Sequence, residues 1–197
     1  MRSSRVAKFA LSTPFISAKT SVVIQAPHPL VRDALVQATL DPRVRSIGVA
    51  SLTRVDDPHV DLDAIVIFRD DGAFVLDVPA ARPVRDAEHA NMLLASYRRL
   101  GLSVMTLTAA DIQREPRLAN SRLVWSYRLT PVGISLRLSV MQMLADDGPM
   151  SLARLLSSVH SDRDPSPAIM AMVCSDLIEL DIEGQPLGPA AIVRLRT

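Results

Sequence analysis

The sequence predicts an α/β protein in two parts: a mixed sheet flanked by helices, then a small domain of three helices closed by a hairpin. Three observations predict it. Runs of β-branched, alternating or continuously apolar residues, such as "VDLDAIVIFR" (60–69), interleave with runs of helical period, such as "AEHANMLLASYRR" (87–99). "DDG" (70–72) is a tight-hairpin signal between two strand-like runs. After "TPVG" (130–133) the pattern changes to three helical segments in succession.

The elements follow in order. "TSVVIQA" (20–26) reads as a short β-branched strand. "PHPLVRDALVQATLDPRV" carries Leu30, Ala34, Leu35 and Ala38 at helical spacing, with Pro29 in the first turn and Asp41-Pro42 as the stop. A strand is expected over 44–53. The runs on either side of "DDG" form a hairpin, and "PAARPVRD" breaks its second strand. "AEHANMLLASYRRLG" is an amphipathic helix closed by Gly101, with Arg98 and Arg99 in its last turn. "LSVMTLT" is a strand, "AADIQRE" a short helix and "PRLANSRLVWSYR" a longer one. Beyond the boundary come "ISLRLSVMQMLADDG", "MSLARLLSSV", "SPAIMAMVCSDLIEL" and the hairpin "DIEGQPLGPAAIVRLRT", the order of a winged helix with "EGQP" as its wing. No internal repeat is present. The expected division is an N-terminal arm (1–19), a main domain (20–130) and the helical domain (131–197).

Composition bounds the function. The 197 residues are 48% apolar with a net charge of +1, the profile of a folded globular chain and not of a disordered tail. No apolar run reaches membrane-spanning length. Residues 1–19 are basic and rich in serine but lack the apolar stretch of a secretory signal, and read as a surface arm. Cys174 is the single cysteine, so no internal disulfide forms, and a reducing, cytoplasmic compartment is the simplest setting. Lys8 and Lys19 are the only lysines, so none is available for chemistry after residue 19.

Three stretches together resemble the TnsA family, endonucleases of heteromeric transposases. "LVRDALVQATLDPRVRSIGV" is similar to the family's first helix, break and strand, and "DLDAIVIFRDDGAFVLDV" to its central hairpin. "LSVMTLTAADIQREPRLANSRLVWSYR" matches the stretch in which a strand leads to T-x-x-(D/E)-I-R and then to a leucine-asparagine helix ending in YR. The resemblance implies a restriction-endonuclease-like core followed by a winged helix. It also implies a metal site in which carboxylates hold magnesium, the metal helps make hydroxide, and a lysine stabilises the developing charge.

Carried over residue by residue, the metal-holding aspartate falls on Asp63 and the second carboxylate on Asp77. The lysine falls on Pro79, which has neither charge nor backbone donor. The first-helix acid falls on or beside Val31, and Asp33 lies about 200° further round that helix. Arg82 and Arg85 bring positive charge near the hairpin and Glu88 a carboxylate on the next helix, so Glu88 and Arg82 are the candidates for rescue. Arginine stabilises a phosphate but is a poor base. Asp56, Asp57, Asp61, Asp70 and Asp71 sit where solvated acids are ordinary. His28, His59, His89 and His160 show no ligand spacing.

Arg98, Arg99, Arg114, Arg117, Arg122, Arg128 and Arg137 cluster in the sequence and are either a phosphate-binding face or solvated helix surface. The third helix of the second domain lacks basic residues and is flanked by Asp162, Asp164, Asp176 and Glu179, which suits a protein interface or the core better than a DNA groove. Arg194 and Arg196 are the basic residues nearby. The expectation is therefore a nuclease fold without nuclease chemistry and without a cofactor, acting in a DNA-associated assembly with a protein partner. Two alternatives stand beside it: an active magnesium endonuclease using Asp63, Asp77 and Glu88, and a protein-interaction module, with a homodimer as one form, that binds no nucleic acid.

Overall fold

The computed structural model describes residues 13–52, 62–161 and 163–196, with the backbone alone at 51, 52, 62 and 63. Asp56, Asp57, His59, Asp61 and Asp162 lie outside the described residues. The elements are β1 (Thr13–Phe15), β2 (Ile24–Ala26), α1 (Pro29–Leu40), β3 (Val44–Leu52), β4 (Leu62–Arg69), β5 (Gly72–Asp77), α2 (Ala87–Arg99), β6 (Ser103–Thr106), α3 (Ala109–Ile112), α4 (Arg117–Ser126), α5 (Ile134–Asp147), β7 (Met150–Ser151), α6 (Leu152–Ser158), α7 (Ser166–Cys174), β8 (Ile178–Leu180) and β9 (Ile192–Leu195). No helix among them is long and apolar enough to cross a membrane.

The central sheet is mixed, in the order β3-β4-β5-β6. The β3-β4-β5 meander is antiparallel, and α2 carries the chain over to β6, which runs parallel to β5. Alternation along the strands divides the interior. Ile67 belongs to the large core with α1, whereas Ala64, Val66 and Val75 meet Leu93 and Tyr97 of α2 in a smaller cluster. The His28 ring nitrogen accepts from the Leu30 amide at the start of α1. Asp41 ends that helix and holds Arg43 by both its amide and its guanidinium. The hairpin turn falls at Asp70 and Asp71, as "DDG" predicts, with Gly72 at φ +143.

Three expectations need correction. The strand over 20–26 shortens to β2, because the Thr20 hydroxyl donates to the Ser17 carbonyl and accepts from the Ser17 amide, folding 17–20 into a turn. The expected surface arm holds a strand from Thr13: Phe15 is buried and stacks on Trp125 at 5.3 Å, and Lys19 is also buried. The last helical segment stops at Cys174, Asp176 turns the chain with φ 58, and Ile178–Leu180 becomes the first strand of the hairpin with β9.

The boundary at 130–133 separates two sheets but not two cores. The large cluster runs from Phe15 to Val193 without interruption. After that boundary the order is helix, strand, helix, helix and two strands, with β7 pairing outside β9. The "EGQP" connection is tied down at its base: Asn120 of α4 donates to the Ile182 and Gln185 carbonyls and accepts from the Leu187 amide, at 2.8–2.9 Å. Beside it, Asp176 holds both Lys19 (3.2 Å) and Arg196 (3.1 Å).

Four substitutions have expected outcomes in urea unfolding. Asn120→Ala should cost about 2–3 kcal/mol, and Asn120→Asp at least as much, because a carboxylate cannot donate to the two carbonyls. Lys19→Met should change stability by less than about 1 kcal/mol, since Asp176 keeps Arg196 and the Asp41 carbonyl keeps the Val44 amide. Asp176→Asn, which leaves two cations facing each other, should cost about 2 kcal/mol.

Candidate functional site: an apolar cleft with an arginine-held aspartate

The β4–β5 ladder ends at Val66↔Val75, while β5 stays paired with β6 as far as Asp77↔Thr106. The ends of β4 and β5 therefore part, and a cleft of about 620 Å³ opens there. The segment from Val22 through β2 to Pro27 walls it on one side and α2 on the other. Positions 90, 93, 94 and 97 of α2 share one helical face, which lines the cleft with Ala90, Leu93, Leu94 and Tyr97. Most of the surrounding surface is aliphatic.

Asp77 is the acid of this cleft. Its backbone is fixed by the Thr106 pairing and by the Leu107 amide, which donates to its carbonyl at 2.9 Å. Its carboxylate is held by the Arg82 fork, Nε to Oδ1 at 2.5 Å and Nη2 to Oδ2 at 3.2 Å, with Arg85 at 3.8 Å. The local sequence produces this grip. Pro79 opens a 3₁₀ turn over Pro79–Ala81, the Ala81 amide donates to the Val78 carbonyl, and the turn returns Arg82 to the carboxylate five residues back. Pro79 is itself exposed. The hydrogen bond to Asp77 raises Arg82 above the ordinary arginine value. Burial raises Tyr97 above the ordinary tyrosine value of 10.0, with Arg85, Asp77 and Arg82 within electrostatic reach.

The other expected site residues are placed as follows. Val31 is buried and lines the same cleft. Asp33 pairs instead with Arg122 at 2.7 Å. Asp63 lies in β4 opposite Ser51, and its side chain is outside the described set. Glu88 is exposed in the first turn of α2 and is not on the lining face. No group of three potential metal ligands occurs among the described residues. Cys174 is buried, its thiol lies 3.3 Å from the Val124 carbonyl, and burial pushes it up to about 12.

The arginines divide into two sets. Arg98 and Arg99 are exposed at the end of α2 and form no ion pair among the described residues. Arg114 lies 3.8 Å from Asp111, Arg117 3.4 Å from Glu183, Arg122 holds Asp33, and Arg128 stacks over Trp125 at 5.3 Å. Arg137 is exposed on α5, and Arg194 and Arg196 both bind Glu179. Helix α7 is core: every residue from Ala168 to Cys174 is buried, so Ile169, Met170, Met172 and Val173 present no interface. Sequence reasoning missed Tyr97 as a cleft residue, although its spacing from Ala90 and Leu93 was the available signal.

No protein-family model matches the chain, and no curated protein matches it.

The environment of Tyr97 has a direct readout. A near-ultraviolet difference titration between the protein and Tyr97→Phe should place the phenol transition above pH 10, because burial penalises the phenolate.

Proposed function

We propose that this chain is a non-catalytic component of a DNA-associated assembly, built on a restriction-endonuclease-like core of the kind its TnsA-like motifs imply and ending in a winged-helix-like unit. The observation that carries the reading is the state of Asp77. A carboxylate that ligates magnesium must offer its oxygens to the ion. Both oxygens of Asp77 are occupied by Arg82, with Arg85 beside them. A valine and a proline stand at the positions of the helix acid and the lysine. An active endonuclease using Asp63, Asp77 and Glu88 would have to displace Arg82 and redirect Glu88 from solvent.

The burial of α7 counts against a winged-helix route to DNA, which leaves as a second reading a protein-interaction module without nucleic acid, its interface elsewhere than on α7. The helix that would enter a major groove has no surface to offer. Any contact with DNA would then fall to exposed cations such as Arg98 and Arg99.

Supercoiled DNA incubated with the protein and magnesium or manganese should remain uncut, and electrophoretic binding should weaken with salt and in the Arg98→Ala/Arg99→Ala double variant. Nicking that vanishes in Asp63→Ala would overturn the non-catalytic reading. Absence of both cutting and low-salt binding would select the interaction module.

A further inference from the structure

We infer that the cleft beside Asp77 binds a small amphipathic monocarboxylate, with its aliphatic chain along the apolar walls and its carboxylate on Arg85 and the Tyr97 hydroxyl. The cleft of about 620 Å³ is within the usual size of a small-molecule site, apolar with a few convergent polar groups. Val22 and Val23 on one wall and Leu94 on the other are 51%, 49% and 40% exposed, more apolar surface than a closed core leaves. Depth is supplied by Leu93 and Val31, both buried.

The polar end fixes the sign of the ligand. Two guanidinium groups face one carboxylate, which leaves one positive charge over. Arg82 is committed to Asp77 through its fork. Arg85 touches Asp77 through one nitrogen at 3.8 Å, and its remaining donors meet no acceptor among the described residues. The Tyr97 hydroxyl makes no hydrogen bond among the described residues and is not one of the enclosed polar atoms, so its oxygen is open to solvent or a ligand although the residue as a whole is 6% exposed. One anionic oxygen pair would satisfy both groups. A peptide would leave backbone amides unpaired against valine and leucine, and a cation would meet the surplus positive charge. A single surplus charge also suits a carboxylate better than a phosphate dianion.

The inference does not depend on nucleic acid, so its test is run without DNA. Calorimetric titration with hexanoate, octanoate and decanoate should show saturable binding that tightens about three- to fourfold for each added CH2. Arg85→Gln should weaken decanoate by about tenfold or more, since it removes a charge-assisted contact. Ala90→Phe, which narrows the cleft from α2, should weaken the longer chains most. Both variants should retain the unfolding midpoint of the parent, because Arg85 makes one long contact and Ala90 is half-buried. Failure of decanoate to bind at about millimolar concentration, equal binding of decylamine, or undiminished binding in a folded Arg85→Gln protein would overturn it.

Discussion

Lys19 and Arg196 come from opposite ends of the described chain and meet on one carboxylate, Asp176, between the four-stranded and the three-stranded sheets. Lys19 also donates to the Asp41 carbonyl where α1 ends, and Arg196 reaches the Pro42 and Val44 carbonyls and Glu179. Asp176 sits at φ 58, a left-handed position that aspartate tolerates better than most side chains. Burial, the largest influence on Lys19, lowers it from the usual 10.5, and Asp176 opposes the shift. With a lowered native value, this lysine alone makes stability rise with pH between its native value and 10.5, so its charge is a cost at neutral pH that the carboxylate offsets. The position of the C-terminal unit against β3 depends on this shared charge and on the core beneath it.

A related economy governs the cleft. The β4 and β5 strands diverge at the cleft, and the turn that follows β5 brings a guanidinium back onto the Asp77 carboxylate. Arg82 neutralises Asp77 within an apolar surround where an unpaired charge is costly. Val31 packs in the same cleft as part of the large core.

Much of the main sheet was legible. The "DDG" turn, the break at Asp41-Pro42, and the amphipathic run ending at Gly101 all correspond to observed element ends, because each rests on local backbone chemistry: φ restriction, capping or positive φ. The errors share a cause. Ile178–Leu180 continues an apolar run and reads as helix until β9 pairs with it. Thr13–Phe15 carries no strand signal of its own; it is a strand because β2 pairs with it, and Phe15 stacks on Trp125, more than a hundred residues away. The arginine cluster was visible as composition, but nothing local discloses that Arg117 meets Glu183 and Arg122 meets Asp33.

By itself, the sequence determined most of the helices and the central hairpin, since residue identity and short-range spacing are enough for these. Tertiary structure alone decided that Arg82 closes on Asp77, that Tyr97 and Arg85 gather at the same apolar cleft, and that α7 is core and not surface. The physical reason is that hydrogen-bond partners and burial depend on which distant segments pack together, whereas turns and periodicities are written within a few residues.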